Sequence, residues 1–173
     1  MPETCRQGPR IHTIGHSNHP IERFVALLRI AAVGRLIDVR SHPGSRFHPQ
    51  FNKTALAKAL GAAGIDYCWF GEALGGKPKD VSLFDALGRP DYQRMAATPA
   101  FASGIEELIR VARDSSLAIM CAEENPAHCH RTLLVTPELL ARGVGVRHIR
   151  GDGGIAEHGV VVATRQGDLF GRA

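Results

Sequence analysis

Alternating strand and helix patterns predict an α/β protein: one domain on a mostly parallel central sheet of about five strands, with helices on both faces. Three observations predict it. Short apolar runs alternate with segments whose apolar residues recur at helical spacing. The strands read as continuously apolar, as strands covered on both faces do. The chain has 173 residues, 44% of them hydrophobic, which suits a single compact core.

The elements follow in order. IHTIG (11–15) reads as a buried strand ending in glycine. HPIERFVALLRIAAV carries apolar residues at 24, 25, 27, 28, 31 and 32, a helical pattern. RLIDV (35–39) is a second strand, followed by the Pro/Gly loop SHPGSRFHPQFN. KTALAKALGAAG is a helix stopped by glycine, and IDYCWF (65–70) a third strand before the loop GEALGGKPKD. Residues 99–114 read as a helix with apolar residues at 101, 105, 108, 109 and 112. LAIMCA (117–122) is a fourth strand, and HRTLLVTPELLARG a helix bent at Pro137. VRHI (146–149) is a fifth strand, and GVVVAT (159–164) an edge strand or hairpin. Residues 1–10 and 165–173 are expected to be flexible ends around a domain of 11–164.

The formal net charge is +4, from 21 Lys and Arg against 17 Asp and Glu. This mild excess, with a pI near 9.1, favours anionic ligands only weakly. Four widely separated cysteines, with no apolar leader before them, read as reduced thiols. No run approaches a membrane span, so a cytoplasmic protein without membrane contact is expected.

Ligands of parallel sheets bind where loops leave the carboxyl ends of the strands. Here four strands are followed by polar loops, which should meet at one edge. After the first come His16 and Ser17; His16 offers acid–base chemistry, and both offer hydrogen bonds. After the second come Asp38, Arg40, Ser45 and Arg46. Asp38 either orients Arg40 or acts as a base, while the arginines and serines are candidates to hold an anion. After the fourth comes CAEENPAHCHR. Glu123 is a candidate base. Cys129 and His130 stand where a helix begins, which favours a thiolate or a bound anion, and Arg131 adds a guanidinium.

Ligand types for a metal are present at Cys121, His128, Cys129 and His130. Their spacing matches no zinc finger or ribbon, and neighbouring Cys129 and His130 are not expected to ligate together. No metal ligand is therefore assigned; a divalent metal stays open as a cofactor. A Cys-x5-Arg loop, a P-loop and a GxGxxG fingerprint are all absent.

TIGHSNHPIERFVALL, IDVRSHPGSRF, FNKTALAKALGAAGIDYCWFGEALGG and IMCAEENPAHCHRTLLVTPELLARGVGVRHI resemble, in order and spacing, the domain-of-unknown-function 488 family. The resemblance runs from about residue 11 to 149. It marks Asp38, Arg40, Ser45, Arg46, Cys121, Glu123, Cys129, His130 and Arg131 as signature positions and implies no roles for them.

The tail QGDLF resembles the peptide that binds the bacterial sliding clamp, through Gln166, Asp168, Leu169 and Phe170; Gly167 departs from the usual leucine. Three functional readings follow. The first is a hydrolase-like enzyme acting on a nucleotide, nucleic acid or other phosphate-bearing substrate, with an arginine-rich anion pocket. The second is a non-catalytic nucleotide- or nucleic-acid-binding module associated with the clamp. The third is a thiol enzyme using Cys129.

Overall fold

The computed structural model describes residues 9–163. Gln166, Leu169 and Phe170, expected to bind a partner, lie outside them. Among the described residues no helix is long and apolar enough to cross a membrane.

Six strands form one sheet: β1 (Arg10–Gly15), β2 (Arg35–Asp38), β3 (Asp66–Trp69), β4 (Leu117–Cys121), β5 (Gly145–Ile149) and β6 (Ile155–Glu157). Their order is β3-β2-β4-β1-β5-β6. The first five run parallel, and β6 pairs antiparallel with β5. The expected architecture is present, with one strand more than the five read from the sequence. That strand is not the expected 159–164. Gly153, with φ of +98°, closes a tight turn after β5, so the antiparallel edge forms at once over 155–157. Residues 158–163 are helical instead.

Side-chain alternation divides the core in two. Ile37, Leu117 and Ile119 join the cluster of α5 (Pro99–Asp114) and α6 (Thr136–Ala141). Leu36, Ala118 and Met120 face α1 (Ile21–Ile30) and α2 (Lys53–Ala62). α5 forms because Thr98 caps it, accepting the Phe101 N–H at 3.3 Å, while Pro99 supplies a preset first turn. Its face of Phe101, Ile105, Leu108 and Val111 is buried. Two short helices, α3 (Gly71–Leu74) and α4 (Tyr92–Ala96), lie between β3 and α5 in stretches that read as loop or irregular.

The bend expected at Pro137 falls one turn earlier. Pro137 brings no N–H, so a regular α-ladder cannot run through it. Residues Arg131–Val135 widen into a π-helical turn, and the Thr136 N–H and Oγ1 both reach the Arg131 carbonyl, the latter at 2.7 Å.

This wiring opens a crevice. After β1 the chain passes to α1 on one face; after the adjacent β4 it passes to α6 on the other. Neighbouring strands thus send their loops apart at their carboxyl ends, which is where α/β sheets leave room for ligands.

Candidate functional site

A cleft of about 780 Å³ lies at that edge, lined by residues from the loops after β1, β2, β3 and β4. Its lining includes His16, Ser17, Arg40, Ser45, Glu123, Cys129 and His130, all proposed from sequence. It also includes Cys121, read from sequence only as a metal-ligand type and signature position, and Lys77 and Tyr92, which had no reading. Asp38, Arg46 and Arg131 are not part of the wall.

Two backbone approaches build the floor. Gly15 ends β1 directly against the loop after β4; a Cβ there would stand 1.8 Å from the Glu123 carbonyl oxygen. The glycine admits a neighbouring loop, not a ligand. Gly76 lies against His130, whose Cγ would be 2.6 Å from an added Cβ.

Arg131 holds the loop from behind. It is fully buried and donates from Nε to Thr13 Oγ1 at 3.2 Å, from Nη2 to the Glu124 carbonyl at 2.8 Å, and from Nη1 to the Glu123 carbonyl. Its expected anion-binding role is not available, because its guanidinium is committed to the Thr13 hydroxyl and two loop carbonyls and Arg131 does not line the cleft. Buried carbonyls need donors, and this side chain supplies two of them.

Asp38 is likewise not a base in the cleft. It is fully buried, its carboxylate gripping Arg40 at 2.9 and 2.7 Å and accepting the Tyr67 hydroxyl at 2.8 Å. Burial and that carboxylate hold the Tyr67 phenol protonated, well above its usual range. Arg40 also donates Nη2 to the Phe51 carbonyl at 2.8 Å and Nη1 to His16 Nε2 at 3.2 Å. Of its five N–H groups one is left for the cleft. Arg46 is exposed and outside the lining. The arginine-rich pocket therefore does not form: its three members are a buried clamp, a loop brace and a solvated side chain. Ser17 and Ser45 do line the cleft; Ser45 Oγ accepts the His48 N–H at 3.0 Å.

His16 is neutral with its protons fixed. Its Nδ1 lies 2.8 Å from the Ser17 carbonyl, which only accepts, so Nδ1 carries the hydrogen and Nε2 accepts from Arg40. The ring stacks on Phe51 at 4.4 Å. Burial lowers its pKa to about 4, so it does not serve as an acid at neutral pH.

The chemistry converges on Cys121, Cys129 and His130, whose ligating atoms lie within 4.8 Å of one another. Cys121 ends β4; its Sγ is 3.3 Å from His130 Nδ1, and that of Cys129 is 3.9 Å away. His130 Nε2 donates to the Val39 carbonyl at 3.0 Å, which turns Nδ1 toward the thiols. The Cys121 pKa is lowered to about 7. The main cause is a hydrogen bond from Cys129; burial opposes it, and the Arg131 charge and the Ala122 and Glu123 N–H groups assist. The Cys129 thiol is pushed up to about 12, first by Cys121 and then by burial, and keeps its proton. The lowered thiol pKa expected at Cys129 falls at Cys121 instead, the sulfur nearer to His130 Nδ1.

The same atoms could hold a thiophilic metal, contrary to the expectation that neighbouring Cys129 and His130 would not ligate together. Cys129 is extended (φ −105°, ψ 145°) and His130 helical (φ −58°, ψ −27°), and this change of backbone brings both side chains to one point. Glu123 lines the same cleft and is exposed.

A family model described as domain of unknown function DUF488 matches residues 20–136. The chain belongs to the DUF488 family. No curated protein and no solved structure matches it. The DUF488 match contains the two segments that build the cluster, from Val39 to the 121–130 loop. It includes the whole π-helical turn and ends at Thr136, the first residue of α6.

Proposed function

We propose that this DUF488 protein is a thiol-dependent enzyme in which Cys121 is the nucleophile and His130 exchanges its proton. The observation that carries the reading is the chain Cys121 Sγ to His130 Nδ1 at 3.3 Å and His130 Nε2 to the Val39 carbonyl at 3.0 Å. A nucleophile, a base and a third group orienting the base form the usual arrangement of covalent catalysis. Cys121 attacks an electrophilic group of the substrate; the bond from that group to its leaving group breaks, the leaving group departs with the proton held by His130, and the group on sulfur is then passed to water or a second acceptor. Lys77 and the remaining Arg40 N–H favour a substrate with an anionic or phosphate-bearing portion. Glu123, which lines the same cleft, would orient water or a leaving group. The test is alkylation by iodoacetamide, mapped by mass spectrometry on chelator-treated protein. Cys121 should react first near neutral pH. Preferential labelling of Cys68, or no reaction at Cys121 until the protein unfolds, overturns the reading.

A second reading is favoured by one observation. Separations of 3.3 and 3.9 Å between the imidazole nitrogen and the two sulfurs are near the ligand–ligand edges of about 3.5–3.8 Å around tetrahedral zinc. A neutral imidazole anchored through its other N–H to a carbonyl is the usual form of a metal-bound histidine. Cys121, Cys129 and His130 would hold the ion, and a metal bound by three protein groups at a cleft would supply activation of water for hydrolysis. Stoichiometric zinc in purified protein, lost in Cys121→Ser and in His130→Ala, would select this reading over the first.

A further inference from the structure

We propose that Cys129 is the resolving thiol of a two-cysteine redox centre, reducing a peroxide-type oxidant through a Cys121–Cys129 disulfide. The inference rests on Cys121 being the nucleophile and adds both a substrate class and a role for the second cysteine. Three features of the site carry it. Two thiols stand within 4.8 Å of one another at the floor of one cleft, each facing the same imidazole nitrogen. They stand unequally to the imidazole, the Cys121 sulfur at 3.3 Å from Nδ1 and the Cys129 sulfur at 3.9 Å, so the base serves the first thiol and leaves the second to follow. Cys129 also sits at a junction, between the 3₁₀ turn Pro126–His128 and the π-helical turn, where no strand fixes its backbone.

The steps balance. The Cys121 thiolate attacks one peroxide oxygen; the O–O bond breaks, giving Cys121–SOH and hydroxide, which takes a proton from water or His130. Sulfur loses two electrons and the peroxide gains them. The Cys129 sulfur then attacks the Cys121 sulfur. The S–S bond forms, the S–O bond breaks, and the departing oxygen leaves as water with the Cys129 proton. A dithiol reductant returns both thiols by exchange. The buried position of Cys129 keeps it from competing for the oxidant, since it is only 1% exposed.

Both cysteines fall in the single tryptic peptide 114–131, so the link is read as loss of two hydrogens from one fragment. Reduced, chelator-treated protein is exposed to hydrogen peroxide, with dithiothreitol as the reductant for turnover. The wild type should form the link, lose it on reduction, and consume peroxide catalytically. Cys129→Ser should stop at a sulfenic acid on Cys121, trapped by dimedone, with turnover at least tenfold lower. Cys121→Ser should give neither product. Cys121 that alkylates readily at neutral pH yet forms no link, with the wild type accumulating the trapped species as fast as Cys129→Ser, overturns the proposal and leaves the nucleophile reading standing. Cys121 that fails to alkylate ends both.

Discussion

Replacing Cys129 by alanine removes the largest influence on the Cys121 thiol, and its effect can be worked out in advance. In the native protein the Cys121 pKa is about 7 against an ordinary 9.0. At pH 7 about half of Cys121 is then thiolate, where an ordinary thiol would be about 1% ionised. A less basic thiolate is a weaker nucleophile; with a Brønsted slope of about 0.4–0.5, two units cost roughly eightfold per thiolate. The net advantage at pH 7 is therefore only about sixfold, and the midpoint of the profile is the more decisive quantity. Iodoacetamide rates at Cys121 from pH 5.5 to 9.5, followed by the mass of the 114–131 peptide, should give a midpoint near 7. In Cys129→Ala it should rise by about a unit or more, because the S–H donor is gone while burial still favours the neutral thiol. A wild-type midpoint at or above 8.5, or no movement in the variant, refutes the account of the pair.

Other consequences concern the frame. Asp38→Asn keeps the shape but leaves Arg40 buried beside an amide; losing one partner of such a pair costs about 3–5 kcal/mol. At about 2–4 °C per kcal/mol for a chain of this size, calorimetry should show a melting point roughly 6–20 °C lower, and a drop under about 3 °C would mean the pair is not buried as described. Gly15→Ala places a Cβ on the Glu123 carbonyl, so the loop must shift. About 1–3 kcal/mol of destabilisation by urea titration, with slower Cys121 alkylation, is the expected outcome, and wild-type values for both would contradict it. His16 and His148 are held neutral, chiefly by burial, with pKa values of about 4 and about 3 against 6.5 when unfolded. The unfolded chain therefore binds protons first. Their contribution is complete above pH 6.5 and declines as pH falls toward 4. Thermal midpoints should fall between pH 7 and pH 5; a flat or rising trend would be inconsistent with buried neutral rings.

Much of the site's location is legible along the chain. Apolar runs such as LAIMC mark strands covered on both faces, and the polar loops behind them gather because parallel strands share a carboxyl edge. What each loop residue does there is less legible. Arg40 and Arg131 read as anion ligands because guanidinium suits phosphate, yet buried acceptors claim them: the Asp38 carboxylate for one, two loop carbonyls for the other. Lys77 and Gly76 carried only the faint signal of a Gly-Gly-Lys run after the third strand.

By itself, then, the sequence determines the alternating elements, the two-sided core and the edge where loops converge, because these depend on local periodicity and on the geometry of parallel strands. Only the tertiary structure decides that Cys121 and Cys129 meet at one imidazole, with the Cys121 sulfur the nearer to it, and that the Val39 carbonyl orients His130. Those outcomes depend on distances between groups far apart in the chain, and a thiol's ionisation follows from the donors and charges within a few ångströms of its sulfur.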